Sequence, residues 1–255
     1  YDFNSSINNY FFFSFLFLAG SILMRSAGCI VNDIADKNFD QKVERTKNRP
    51  IASGKVSVKL ASIYSIALCG LAFLVLINFN KFTIYMALLS MPLAFTYPLM
   101  KRITYWPQLF LGITFNYGLI LAWVSVSNDI SLVSIAFYVG AIFWTLGYDT
   151  IYGFQDIKDD EIIGVKSTSI RFKGTAKIFL ILCYLSFISS LVIGGLMMNF
   201  SLIYFLSITI PIIHLFFYQI NNFDSKNPAS CLKIFKSNNY LGIIIFFNIL
   251  VGRFF

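Results

Sequence analysis

The chain has 255 residues, of which 57% are hydrophobic and only 13% charged, with a mean hydropathy of +0.72. This composition excludes a soluble globular protein. The formal net charge of +8 does not signal a nucleic-acid partner, because the basic residues are dealt out between apolar segments instead of gathering in one patch.

A helix needs about 20 apolar residues to cross the hydrocarbon core of a bilayer. Eight stretches of that kind follow one another: Tyr10 to Val31, Val58 to Ile77, Phe82 to Tyr97, Pro107 to Val126, Leu132 to Tyr152, Ala176 to Met198, Phe200 to Tyr218 and Tyr240 to Phe254. They are continuous instead of alternating at every second residue, which excludes a β-barrel. Inside lipid only helices satisfy their own backbone groups. The expected fold is therefore an all-α polytopic membrane protein, a transmembrane helix bundle in the lipid bilayer. The first stretch has no basic leader and no small-residue cleavage site, which argues against a signal peptide. It begins close to Tyr1, so a further upstream segment is expected.

The connections between these stretches are not alike. Seventeen of the 20 Lys and Arg residues fall in alternate connections, among them Lys37, Lys42, Arg45, Lys47 and Arg49 in the first, Lys101 and Arg102 after the third, Lys158, Lys166 and Arg171 after the fifth, and Lys226, Lys233 and Lys236 after the seventh. The positive-inside rule makes that face cytoplasmic. Cys29, Cys69 and Cys183 lie in apolar stretches and Cys231 is placed in a loop, with no paired spacing. Neither a disulfide nor a zinc site is expected.

Two clusters on the basic face hold most of the acidic residues. The first is Asn32-Asp33-Ile-Ala-Asp36-Lys-Asn-Phe-Asp40, and the second runs from Asp149 to Asp160 with Asp156 and Asp159 between them. If the first stretch continues as helix beyond the membrane, Asn32, Asp36 and Asp40 recur at four-residue intervals and share one side. Asp149, Asp156 and Asp160 are expected on one helical side in the same way. For an isolated loop Asp, a solvated salt bridge is the plain reading. Two such clusters bordering spans on one membrane face point instead to a functional site, since carboxylates there are costly.

Paired carboxylates next to Lys and Arg suit a magnesium diphosphate, because Mg²⁺ takes hard oxygen ligands from one or two carboxylates and from substrate phosphates. Arg45, Lys47, Arg49, Lys101 and Arg102 are candidates to neutralise a departing diphosphate. Arg25 lies two turns inside the membrane from Asn32, where a lone cation is costly, so an inward-facing Arg25 would bind diphosphate or carboxylate. Asp33 and Asp159 sit about 100° around the helix from Asn32 and Asp160 respectively and are candidates for supporting positions. Aromatic residues make up 18% of the chain. Most are packing or interface residues, while a few lining a cavity would shield an allylic cation. His214, the only histidine, is expected to be a hydrogen-bonded packing residue.

These residues carry a resemblance. The run Arg25-Ser-Ala-Gly-Cys-Ile-Val-Asn32-Asp33-Ile-Ala-Asp36-Lys-Asn-Phe-Asp40 is followed by Arg45-Thr-Lys-Asn-Arg-Pro-Ile-Ala-Ser-Gly54. Further on come Tyr97-Pro-Leu-Met-Lys101-Arg102, Tyr148-Asp149-Thr-Ile-Tyr152, Asp156-Ile-Lys-Asp159-Asp160 and Ile163-Gly-Val-Lys-Ser-Thr168. In kind and order they resemble the UbiA-type intramembrane prenyltransferases, most of all the bacterial members that act on 4-hydroxybenzoate. The resemblance implies one domain over residues 1–255, in a family of nine transmembrane helices of which the first looks missing here. It implies a cavity served by both motifs, 32–40 and 149–160, in the bacterial inner membrane and facing the cytoplasm.

The resemblance further implies Mg²⁺ as cofactor, and polyprenyl diphosphate and 4-hydroxybenzoate as substrates in ubiquinone biosynthesis. It assigns Asn32, Asp36, Asp40, Asp156 and Asp160 to the metal, with Arg25, Arg45, Lys101 and Arg102 on the diphosphate. Asp149 and Asp156 are the candidate bases, and Asp33, Asp159, Tyr97 and Tyr152 support them. Asp156, Asp159 and Asp160 stand where some relatives carry a longer Asp series. A haem, homogentisate or naphthoate acceptor is a rival within the family. A cation transporter is the rival outside it, although transporters place their carboxylates near the midplane on broken helices.

Overall fold

The computed structural model describes residues 3–254, and every regular element among them is helical. Eight helices among the described residues are long and apolar enough to cross a membrane: Phe11–Asp40, Val58–Leu76, Lys81–Ile103, Pro107–Ser127, Leu132–Gly153, Ala176–Met197, Leu202–Ile220 and Pro228–Arg253. The chain is an integral membrane protein of the expected all-α class. It divides into two compact units, residues 1–98 with 121–129, and residues 99–120 with 130–255.

In the first unit, α1 (Phe3–Asp40) packs along α2 (Val58–Leu76), and α3 (Lys81–Thr96) follows. Local chemistry sets the starts: Ser57 accepts a hydrogen bond from the Leu60 amide at 3.2 Å, and Asn80 accepts one from the Thr83 amide at 2.8 Å. These are the side-chain caps that free helix-terminal amides require. Asn80 also donates to the carbonyls of Val124 and Ser125, at 3.0 and 3.1 Å, which ties residues 121–129 into this unit. Phe79 receives Phe13 and Phe17, with ring centroids at 5.7 and 4.9 Å.

After a 3₁₀ turn at Tyr97–Leu99 come α4 (Met100–Ile103), α5 (Pro107–Phe115) and α6 (Tyr117–Ser127). The second unit is built on α7 (Leu132–Gly153) and α10 (Ala176–Met197), joined by the short helices α8 (Ile157–Ile163) and α9 (Thr168–Arg171). Small residues let α7 and α10 approach closely. A Cβ added to Gly140 would stand 2.6 Å from Ser190, and one added to Gly147 would stand 2.5 Å from the Tyr184 ring.

The seventh crossing is not one regular helix. It consists of α11 (Leu202–Ser207), α12 (Thr209–Ile212) and a π-helical segment, Ile213–Ile220. The last helix, α13 (Pro228–Phe254), starts twelve residues before the expected Tyr240. Asn227 accepts from the Ser230 amide at 3.1 Å and Pro228 occupies the first helical position, where its missing N–H costs nothing. Cys231, Lys233 and Lys236 are therefore on a helix and not in a loop, and Cys231 is fully buried.

Candidate active site

The first acidic motif stands as its spacing predicts. α1 remains helical through Asp40, so Asn32, Asp36 and Asp40 share one of its sides, with neighbouring Cβ atoms about 6 Å apart. Asp36 and Asp40 are only 4% and 7% exposed, which for carboxylates requires compensation. For Asp40 the connection that follows supplies it. Thr46, itself buried, donates to the Asp40 carbonyl at 3.0 Å, and the Gln41 amide group donates to the Ala52 carbonyl at 2.9 Å. The Arg49 amide donates to the Thr46 carbonyl at 2.9 Å, and Gly54 closes the turn with φ of 80°. Folded back in this way, the loop brings Arg49 Nη1 to 2.9 Å from Asp33 Oδ1 and 3.0 Å from Asp40 Oδ2.

Of the basic candidates in this loop, Arg49 thus meets the acids directly, whereas Lys47 pairs with Glu44 at 2.7 Å. Arg45 is exposed in the loop, and Arg25 is exposed on α1. Asp33 supports the motif through Arg49, in keeping with its position beside the Asn32–Asp40 row.

The second motif departs from the single helical side expected for Asp149, Asp156 and Asp160. α7 stops at Gly153, and Asp156 is the N-cap residue of the separate helix α8, with Asp159 and Asp160 in its first turn. At the break Gly153 packs closely on Ser169, with a Cβ there standing 2.4 Å from its Oγ, and the next residue, Phe154, turns into the core at 1% exposure. Acids at a helix start are favoured by the macrodipole, so the break gives Asp159 and Asp160 a stabilised place. Asp149 stays on α7, half-buried, between Tyr148 and the fully buried Thr150.

A buried polar knot, missed in the sequence, holds this motif. Thr150 and Thr168 share a hydrogen bond of 2.6 Å between their hydroxyls, and Ser169 Oγ donates to the Thr150 carbonyl at 2.7 Å. Gln108 Oε1 accepts from the Thr168 amide at 2.9 Å. The Lys166 amide donates to the Lys101 carbonyl at 2.8 Å, and its Nζ to the Ile103 carbonyl at 3.0 Å. Lys101 and Arg102 on α4 are thereby fixed against the loop that follows α8. The signal was available: Thr, Ser and Gln in apolar surroundings have to find buried partners.

Among the described residues, no three His, Cys, Asp or Glu side chains converge closely enough to hold a metal on their own. Mg²⁺ does not need such a cage, since it binds through one or two carboxylates plus waters and substrate phosphates. The Asn32, Asp36 and Asp40 row offers hard oxygen donors of that kind, and it fits the ion.

Eight apolar helices, two of which end at acid-rich motifs, define a polytopic membrane protein. Residues 4–249 match the UbiA prenyltransferase family, and the chain belongs to that family. It is 43% identical over 237 residues to 4-hydroxybenzoate geranyltransferase 1 of Lithospermum erythrorhizon, covering 92% of this chain and 76% of that protein. It is 41% identical over 239 residues to the mitochondrial 4-hydroxybenzoate polyprenyltransferase of Rattus norvegicus, covering 93% of this chain and 64% of that one. Among solved structures, a UbiA homologue from Aeropyrum pernix K1 superposes with a TM-score of 0.80 at 24% identity, over 93% of this chain and 88% of that chain. A homologue from Archaeoglobus fulgidus bound to GPP and Mg²⁺ gives 0.71 at 18% identity, over 93% and 85%. These two likenesses establish the fold.

Proposed function

We propose that the chain transfers a polyprenyl group from polyprenyl diphosphate to 4-hydroxybenzoate, at the ring carbon ortho to the phenol, as a step of ubiquinone biosynthesis. The observation that carries this reading is the pair of acidic motifs on a UbiA-family chain about 40% identical to relatives named for 4-hydroxybenzoate. Both motifs, within one domain, serve the same reaction. The Lys and Arg asymmetry supports an orientation with the motifs on the cytoplasmic side, and the bacterial inner membrane is the setting this reading takes.

Asn32, Asp36, Asp40, Asp156 and Asp160 would hold the metal, which would supply charge to the diphosphate. Mg²⁺, when bound, withdraws electron density from the diphosphate as a Lewis acid. Arg25, Arg45, Lys101 and Arg102 neutralise the charge that grows as the C1–O bond breaks and its electron pair passes to the diphosphate. Arg49 holds Asp33 and Asp40 in place. The ortho carbon of the acceptor then bonds to C1. Asp149 or Asp156 takes the ring proton, leaving prenylated acceptor and diphosphate as products. Tyr97, Tyr152 and Asp159 support the site.

Membranes containing the chain, given labelled polyprenyl diphosphate and 4-hydroxybenzoate, should yield prenylated hydroxybenzoate only with Mg²⁺ present. Product with homogentisate or a naphthoate instead would keep the chemistry and overturn the acceptor. Ion flux in vesicles without any transfer would favour a transporter.

A further inference from the structure

Four helical segments of the second unit meet at a buried polar junction that the proposed chemistry does not use. Tyr184 on α10 and Gln219 in the π-helical segment are both 0% exposed, and Asn238 on α13 is 8% exposed. Tyr184 Oη donates to Gln219 Oε1 at 2.5 Å, and Gln219 Nε2 donates to Asn238 Oδ1 at 3.0 Å. The same Asn238 oxygen accepts from the indole Nε1 of Trp144 on α7 at 2.9 Å. Asn238 Nδ2 turns to the Ile234 and Phe235 carbonyls, at 3.2 and 3.1 Å. Because an indole nitrogen only donates, Asn238 presents its oxygen to both Trp144 and Gln219, and the two donor paths converge on Asn238 Oδ1.

Interhelical hydrogen bonds in membranes add only about 0.6–2 kcal/mol each to stability. A linked set of them specifies orientation more than it stabilises. The π-helical segment points the same way, since the extra residue per turn re-aims side chains and such segments recur at functional sites. What the junction orients is the indole of Trp144. That ring stacks on Phe187 at 5.4 Å and meets Tyr148 edge-on at 5.7 Å. Tyr152 continues the row one turn later, and Phe235 contacts both tyrosines, at 5.8 and 4.4 Å.

Of the intervening residues of α7, Thr145, Leu146, Gly147, Thr150 and Ile151 are buried and Asp149 is half-buried, while Trp144, Tyr148 and Tyr152 keep accessible surface. The row rises about 12 Å along the helix, longer than one isoprene unit, and it ends four residues before Asp156. An apolar, π-faced wall leading to an acid of the diphosphate motif fits an isoprenoid chain better than a lipid acyl chain, because each of its double bonds can lie against a ring.

We propose that Asn238, held by Gln219 and Tyr184, is a positioning residue that fixes Trp144 at the far end of the wall Trp144–Tyr148–Tyr152, against which the donor's isoprenoid chain lies beyond its first unit. The inference rests on the proposed function and adds to it a determinant of donor length. Replacing Asn238 by Leu frees the indole while keeping the site's volume, and Tyr152, Asp156 and the reacting carbon are unchanged.

Two measurements test it. With Trp106→Phe and Trp123→Phe, Trp144 becomes the sole tryptophan, and its emission should change saturably on adding geranylgeranyl S-thiolodiphosphate with Mg²⁺. Inorganic diphosphate and a phospholipid added in its place should leave the emission unmoved. In transfer assays, Asn238→Leu should raise KM about tenfold for a long donor with kcat little changed, and leave dimethylallyl diphosphate kinetics as they were. Emission that ignores the prenyl analogue, or equal effects on short and long donors, in a chain that transfers prenyl groups would overturn this inference alone. A chain that transfers no prenyl group to any acceptor would overturn the functional reading and this inference with it.

Discussion

Arg49 and Asp40 are joined by an ion pair of 3.0 Å in which the carboxylate is almost wholly buried and the guanidinium only partly so. The same Nη1 reaches Asp33, so one arginine from the following loop neutralises two acids of the first motif. Without it, Asp40 would be left as a buried charge, which is far costlier than the loss of a surface pair.

Arg49→Gln should therefore lower prenyl transfer by at least about tenfold, or about 1.4 kcal/mol, through displacement of Asp40. Arg49→Lys should recover only part of it, because an ammonium lacks the planar fork that spans two carboxylates. Initial rates at saturating Mg²⁺ check both, and equal rates for all three chains would remove Arg49 from the site.

Metal dependence gives a second test. Chelation with EDTA should stop transfer and added Mg²⁺ should restore it, while Ca²⁺, which prefers more ligands at longer distances, should restore much less. Rates measured across a titration of each ion decide this, and full activity in excess EDTA would sink the metal assignment.

Thr168→Val removes the hydroxyl that meets Thr150 in the knot below the second motif while leaving its amide bound to Gln108. Thr150 keeps its donation to the Leu146 carbonyl at 2.6 Å, so the loss should be that of one hydrogen bond, about 0.5–1.5 kcal/mol. The melting temperature in detergent should fall by several degrees, and transfer should fall with it as the loop before α9 loosens. An unchanged melting temperature would show that the knot does not hold the loop.

How far the sequence carried the account differs between the two motifs. The eight crossings follow from apolar length, and the Asn32, Asp36 and Asp40 row follows from a helix that nothing interrupts. The second motif reads as one face only if residues 149–160 are one helix, and that helix ends at Gly153, with Asp156 opening a separate one. Arg49 stood as one of several basic candidates because charge alone does not tell which loop cation folds back. The early start of α13 was legible in Asn227-Pro228, a capping pair, but low hydropathy up to Tyr240 concealed it. The junction at Asn238 joins segments too distant in sequence for spacing to reveal.

Close packing in the second unit is also testable. A Cβ on Gly195 would stand 2.2 Å from the ring of Tyr204, which is fully buried and donates to the Leu191 carbonyl at 2.8 Å. Gly195→Ala should destabilise by about 1–3 kcal/mol through overpacking, whereas Gly70→Ala, with nothing within 4 Å of the new methyl, should be neutral or slightly stabilising in its helix. Thermal unfolding of the two variants in one detergent gives the comparison.

The most direct test of the central claim substitutes one acid in each motif, Asp36→Asn and Asp156→Asn, and measures Mg²⁺-dependent prenylation of 4-hydroxybenzoate beside the unsubstituted chain, with helical content checked by circular dichroism. The account predicts that each variant keeps its helices and loses about a hundredfold or more in turnover, the scale expected when an electrostatic group at the reacting centre is removed. Near-normal turnover in either folded variant would contradict it.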